Sequence, residues 1–255
     1  MNRFLRNLNR IEFLVTQACT GRCRHCSQGE HSLKGERLDA DTAAGAVYEI
    51  CKNYKIESLM TFGGEPLLYP ETVCKIHKAA RETGIAKRSV ITNGFFSRDR
   101  GRIKEVACML AESGVGAILL SADAFHQETI PLEYAVHFAE CVLAADVAIR
   151  VHPAWLVSEE DNNPYNRKTR EILRTFTQIG LGVSSGNVIF PSGNAKKYLA
   201  EYFDERREYV NPYEEDPLDI KAICFSPNGQ VLNGNVYKAG IMDILEGYSP
   251  DEALL

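Results

Sequence analysis

Cys19-Thr20-Gly21-Arg22-Cys23-Arg24-His25-Cys26 places three thiols at C-x3-C-x2-C spacing, directly after the apolar, strand-forming run Ile11-Glu12-Phe13-Leu14-Val15-Thr16. Three sulfurs this close in sequence can converge on one soft metal centre, because thiolates select zinc, copper(I) or iron–sulfur clusters. A four-iron cluster is ordinarily held by four cysteines. A set of three leaves one iron with an open position, where a substrate or cofactor can bind. The triplet alone also admits a structural zinc site completed by His25 or His31, since Cys3His is a common zinc set.

The chain around this stretch has 255 residues, 45% of them hydrophobic, and a net charge of −5. That length supports one large core, or one core with a small appendage. No run approaches the ~20 apolar residues of a membrane span. The first ten residues are basic and polar without an apolar centre, so no secretory signal is expected. The acidic balance and the lack of a basic stripe interleaved with aromatics argue against a nucleic-acid partner. Eight cysteines in a chain of this size, without an export signal, imply reduced thiols and a cytoplasmic location rather than a disulfide framework. Cys51, Cys74, Cys108 and Cys141 fall in helical patterns and are expected to be core residues.

Downstream of the cysteines, strand and helix signals alternate. Asp39 and Thr42 introduce a helix carrying Ala44, Val47, Cys51 and Tyr54 on one face. Strand runs follow over 56–62, 88–92, 115–120, 147–155 and 181–190, separated by helices around 73–80, 103–110, 132–145 and 167–179. Consecutive strand–helix units predict a parallel sheet with helical crossovers. A full barrel of eight units would need about 250 residues, and the pattern stops near Ala195. The fold expected is therefore α/β, a partial (β/α)6 barrel over 1–195, with a C-terminal extension over 196–255. That extension reads as a β-hairpin over 223–232 turning at Asn228-Gly229, a short closing segment over 243–248, and a helix start at Ser249-Pro250-Asp251-Glu252.

Parallel barrels gather their chemistry at the C-terminal ends of the strands. The unusual residues lie at those ends: the cysteines after the first, Gly63-Gly64-Glu65-Pro66 after the second, Thr92-Asn93-Gly94 after the third and Ser121-Ala122-Asp123 after the fourth. Paired glycines let a backbone approach a neighbour closely, and the adjacent carboxylate can receive an ammonium group. The hydroxyl and carboxylate of Ser121 and Asp123 can bond a ribose diol, or cap the next helix.

At Cys19, Cys23, Cys26 and Gly63-Gly64-Glu65-Pro66 the chain resembles the radical S-adenosylmethionine (SAM) enzymes. The resemblance implies a [4Fe-4S] cluster on the three cysteines and SAM chelated to its open iron. Reductive cleavage of SAM then gives a 5′-deoxyadenosyl radical that abstracts hydrogen from a substrate. It further implies that Gly63, Gly64, Glu65 and Pro66 receive the methionine amino group, and that Ser121 and Asp123, with Thr92 and Asn93, line the ribose side. His25 takes the place of the aromatic residue usual before the third cysteine. Pro191-Ser192-Gly193-Asn194-Ala195 resembles the family's sixth-strand element, with Asn194 where arginine is usual.

The tail resembles a degenerate SPASM or twitch extension. Cys224 has no later cysteine to join it, so no auxiliary cluster is expected and Cys224 is read as structural, in a cap over the barrel end. A low-potential flavodoxin or ferredoxin is the implied electron donor, and the implied substrate is a peptide or a small metabolite. His126, Arg150 and His152 are the candidates for catalysis: His126 follows the fourth strand, and Arg150 and His152 alternate on the fifth. The alternative from a different class is a non-catalytic, zinc-stabilised α/β binding protein.

Overall fold

The computed structural model describes residues 2–204, 206–209 and 211–250. The strands of its first half are β1 (Arg10–Leu14), β2 (Ser58–Phe62), β3 (Lys87–Thr92), β4 (Ala117–Leu120) and β5 (Ala148–Val151). Helices α1 (Ala40–Asn53), α2 (Pro70–Glu82), α3 (Arg100–Ser113) and α4 (Leu132–Ala144) connect them. These boundaries follow from local chemistry. Asp39 caps α1 by accepting from the Thr42 N–H, Asp99 caps α3 through the Gly101 N–H, and Gly114 ends α3 in the left-handed conformation.

The second half is more broken than its apolar runs suggest. The expected strand over 147–155 is two, β5 and β6 (Ala154–Trp155), because Pro153 has no N–H to continue the ladder. The expected strand over 181–190 also divides, into β7 (Gly182–Val183) and β8 (Asn187–Val188), around Gly186 at φ 71°. β7 continues the main sheet beside β5, whereas β8 pairs with β6 in a separate two-stranded sheet. Helix α5 (Pro164–Gln178) starts three residues before the expected Arg167, capped by Asn163 with Pro164 in its first turn.

The C-terminal hairpin also differs from expectation. β9 (Ala222–Phe225) forms no ladder with Gln230–Val231, although Ser226 N–H, just past its end, donates to the Gln230 carbonyl at 2.9 Å; its ladder is parallel, with β1. The hairpin is β10 (Gln230–Val231) with β11 (Gly234–Asn235). The all-parallel main sheet thus has seven strands in the order β7-β5-β4-β3-β2-β1-β9. After the short helix α6 (Gly193–Tyr198) and these strands, α7 (Ile241–Glu246) contributes Ile241, Ile244 and Leu245 to the same core as Ile11, Phe13 and Val47. The tail is therefore built into the sheet edge through β9, and its Tyr213 also lines the cavity. Of the helix start expected at 249–252, Asp251 and Glu252 lie outside the described residues.

Strand alternation separates two environments. Ile11, Phe13, Leu59, Val90, Ile118, Leu120, Ile223 and Phe225 point outward and are buried under the helices. Their neighbours Arg10, Glu12, Leu14, Met60, Phe62, Ile91, Leu119 and Cys224 point inward to a cavity. The helix cysteines are less buried than expected: Cys51, Cys74 and Cys141 are half-buried and Cys108 is exposed. Among the described residues no helix is long and apolar enough to cross a membrane.

One buried group outside the cavity couples stability to pH. His77 on α2 is fully buried, its Nε2 3.0 Å from Thr61 Oγ1 and its Nδ1 without a partner. Burial, aided by the positive Arg88, lowers its pKa from 6.5 to about 3. Below pH 6.5 the unfolded chain takes up a proton that the folded state refuses, so stability present above that pH is lost on acidification. At about 1.4 kcal/mol per pH unit, wild type should lose about 2 kcal/mol more than His77→Gln between pH 6.5 and 5. Parallel urea titrations of the two proteins check this; equal losses would remove His77 as the cause.

Candidate active site

The inward faces of the strands enclose a cavity of about 570 Å3. It reaches from Arg10, the first residue of β1, to the cysteine loop beyond that strand's last residue. Cys19, Cys23 and Cys26 all line it. Cys19 and Cys23 are buried and Cys26 is half-buried. A Cβ on Gly21 would lie 3.2 Å from Cys23 Sγ and 3.7 Å from Cys19 Sγ, so the two sulfurs converge over a residue with no side chain. Cys26 Sγ meets His31 Nε2 at 3.2 Å, and His31 Nδ1 is held by the Gln17 carbonyl at 2.8 Å.

The loop is fixed from several sides. Cys19 N–H donates to the Ser32 carbonyl, and Arg22 N–H to Thr129 Oγ1. Arg24 forms a two-point ion pair with Glu128. Asn194 braces the loop: its N–H donates to the Cys26 carbonyl at 2.9 Å and its Nδ2 to the Cys23 carbonyl at 3.0 Å. Gly193, at φ +48°, lies against the same turn, where a Cβ would come within 2.5 Å of the Cys26 and Ser27 carbonyl oxygens. The 191–195 element thus braces the backbone of the cysteine loop.

Gly63 and Gly64 line the cavity, whereas Glu65 and Pro66 do not. The close approach made by the glycines is to the chain's own backbone. A Cβ on Gly64 would be 2.2 Å from the Ala18 carbonyl oxygen, and Glu65 N–H donates to that oxygen at 2.8 Å. The fully buried Glu65 carboxylate accepts from Leu67 N–H at 2.9 Å, Thr92 Oγ1–H at 2.7 Å and Asn93 N–H at 2.8 Å. Burial pushes its pKa up to about 7, against these hydrogen bonds. Glu65 therefore ties the end of β2 to the end of β3. Asn93 carries the connection onward, with Nδ2 3.2 Å from Thr20 Oγ1 and 3.8 Å from Cys19 Sγ.

Ser121 lines the cavity at the end of β4. Asp123, fully buried, accepts three backbone N–H groups, from Phe125, His126 and Ala154, at 2.9–3.0 Å. Its Oδ2 also meets His126 Nδ1 at 2.8 Å. Burial raises its pKa, but the neighbouring His126 charge and these hydrogen bonds win and hold it well below the usual carboxylate range. The proton of His126 thus belongs on Nδ1, leaving Nε2 as the free nitrogen of a ring on the cavity wall. His25 lies 4.7 Å from the His126 ring and 5.0 Å from Phe125, centroid to centroid, and fills an aromatic position. Burial lowers its pKa to about 4, which keeps it neutral.

The fifth-strand candidates separate. His152 lines the cavity with Nδ1 2.7 Å from Ser184 Oγ. Arg150, in register with the inward Leu119, shares that face of the sheet but is exposed and does not line the cavity. Residues that sequence reading passed over, Arg10 and Glu12, also line the space, as does Cys224, which was read as structural. The period-2 pattern of β1 marked Arg10 and Glu12 as one face, but nothing local says that this face is hollow.

The radical SAM superfamily profile matches residues 13–145, more than half of the chain. The chain belongs to the radical SAM superfamily. A protein of Saccharolobus islandicus named probable GTP 3′,8-cyclase is 28% identical over 221 residues, 82% of this chain and 67% of that one. A GTP 3′,8-cyclase of Chlorobaculum tepidum is 25% identical over 127 residues, 50% of this chain and 36% of that protein. Among solved structures, anSMEcpe with bound AdoMet superposes with a TM-score of 0.60 at 13% identity, over 94% of this chain and 77% of that one. Streptococcus suis SuiB bound to S-adenosylmethionine gives 0.54 at 12% identity, over 94% and 66%. At these identities the superpositions show the shared partial-barrel fold.

As a radical SAM enzyme the chain works with a [4Fe-4S] cluster and SAM, and needs a reductant and a substrate. The donor set fits that cluster. Burial, with the Glu65 charge next, pushes Cys19 up to about 12; Cys23 is raised by burial and then by Asp123. Such thiols stay protonated on their own, and a bound metal deprotonates them. The remaining cysteines lie on α1 to α4 or on β9, so among the described residues this loop is where three thiols would be available to such a cluster.

Proposed function

We propose that Cys19, Cys23 and Cys26 hold the cluster, and that the cavity beneath them is shared by SAM and a small polar substrate. The observation that carries the reading is the convergence of three thiols, two of them buried, on one end of a single cavity. When bound, cluster and SAM supply a 5′-deoxyadenosyl radical for hydrogen abstraction. Gly63 and Gly64 present backbone to the methionine end, while Glu65, Pro66 and Thr92 position that turn. Ser121 and His126 Nε2 offer polar contacts on the ribose side; Asp123 holds His126, and His25 packs beside it. Asn93 orients Cys19. His152, fixed by Ser184, faces the substrate space.

The likeness to GTP cyclases favours a small metabolite. A peptide offering one side chain through the mouth is the second reading, favoured by the exposed Val188 and Tyr213 there. The electron donor proposed is a low-potential flavodoxin or ferredoxin.

Anaerobic reconstitution with iron and sulfide, then SAM and dithionite, tests the assignment. Wild type should take up about four irons per chain and release 5′-deoxyadenosine. Cys23→Ala should lose most of the iron and all of the product. A fully loaded wild type that neither binds nor cleaves SAM would sink the reading.

A further inference from the structure

We propose that the end of the cavity remote from the thiols is a binding site for the head group of a free α-amino acid. The proposal deepens the reading of the cavity as a substrate chamber and rests on it. Arg10 and Glu12 stand two residues apart on the inward face of β1. Four strand steps at ~3.3 Å each put Arg10 about 13 Å from Leu14, and the cysteine loop lies beyond that. The arginine and glutamate meet as an ion pair, Nε to Oε1 at 2.5 Å, with side chains 39% and 23% exposed. The inward residues in register with Glu12 are the soft Met60 and Cys224, and the apolar Phe62, Ile91 and Leu119 line the cavity between this level and the thiols. Arg10 Nη2 lies 3.6 Å from the Met60 sulfur.

The sheet does not need charge here. The row of the sheet that carries Glu12 is otherwise uncharged, with Met60, Ser89, Ala117 and Cys224 in register, and taking an ion pair partly out of water costs desolvation. Glu12 also faces neutral donors. Cys224 is its register partner on β9. Local desolvation and then the Glu12 charge push the Cys224 thiol up to about 12 and raise the hydroxyl of Tyr213, whose ring is otherwise largely exposed. Both groups keep their hydrogens beside the carboxylate.

The pair sets the class of ligand. A ligand of one sign would pull one partner away and leave the other uncompensated. A ligand with ammonium and carboxylate on one carbon exchanges a single internal pair for two new ones: ammonium on Glu12, carboxylate on Arg10. Its side chain then runs past Met60 and Leu119 toward the thiols. An internal peptide residue has neither charge, and a nucleoside triphosphate has only the negative one.

Calorimetric titration of the reconstituted enzyme with SAM present tests this. The titrants are the twenty free proteinogenic amino acids singly, the N-acetyl and amide forms of any that bind, and GTP. At least one free amino acid should bind, and both blocked forms should bind at least tenfold more weakly. Glu12→Gln should weaken it by a similar factor, and the swapped pair Arg10→Glu with Glu12→Arg should recover part of the loss. Absence of amino-acid binding in a protein that binds SAM, equal binding of the blocked forms, or preference for GTP would each overturn the proposal. Amino-acid binding without SAM binding would sustain this subsite and count against the SAM reading instead.

Discussion

Gly64→Ala is expected to strip the protein of most of its iron and to lower its stability by more than about 3 kcal/mol, beyond an ordinary overpacking cost. The methyl group would lie 2.2 Å from the Ala18 carbonyl oxygen and 2.7 Å from its carbon. Both neighbours are backbone, so no side chain can swing aside. Relief requires the ends of β1 and β2 to part, which breaks the Glu65 N–H bond to Ala18 and displaces Cys19, the next residue. Iron per chain after reconstitution and the urea midpoint give the two readings. A variant with wild-type iron and an unshifted midpoint would show that the contact is not constraining.

Asp123→Ala is the second large effect, at about 3–6 kcal/mol. The substitution leaves the N–H groups of Phe125, His126 and Ala154 facing an apolar methyl group, and each buried unpaired donor costs about 1–3 kcal/mol. It also releases His126 Nδ1. Asp123→Asn keeps the shape and separates the two consequences. An amide nitrogen in place of Oδ2 would face the Ala154 N–H and the His126 Nδ1–H, donor against donor. Nitrogen-15 spectra of the His126 ring should then show loss of the Nδ1-protonated tautomer. Retention of that tautomer in the Asn variant, or a loss below about 1 kcal/mol in the Ala variant, would show that the carboxylate does not hold the ring.

The first four strands and helices were legible because each is one continuous run closed by its own punctuation, such as Asp39, Asp99 and Gly114. Past residue 147 the signals fail. Val147–Trp155 reads as one apolar run, yet Pro153 divides it between two sheets. The pairing of β9 with β1 depends on a partner 200 residues away, which no window of sequence contains. In the site, the cysteine spacing and the two glycines were plain. What the glycines press against was not: the neighbour is the Thr16–Ala18 backbone, a tertiary contact. The same holds for Asp123, whose oxygens are taken up by backbone N–H groups and His126, and for Asn194, which bonds the cysteine loop. Arg10 and Glu12 escaped notice, and the place of Cys224 on the cavity wall with them, because alternation gives a strand two faces without saying which is hollow.

The parallel pairing of β1 with β9 bears on the order in which the protein can be assembled. β1 is made early, and its neighbour β2 follows within the next 50 residues. Its other edge stays bare until residues 222–225 emerge, and chains are synthesised from the N-terminus. Closing so long a loop is entropically unfavourable and slow. Until then Ile11 and Phe13 lack Phe225 as a packing partner, and the strand that leads into the cysteine loop has one loose side. If the thiols hold a metal as proposed, its loading would wait on the strand that completes the main sheet, although the thiols emerge long before it.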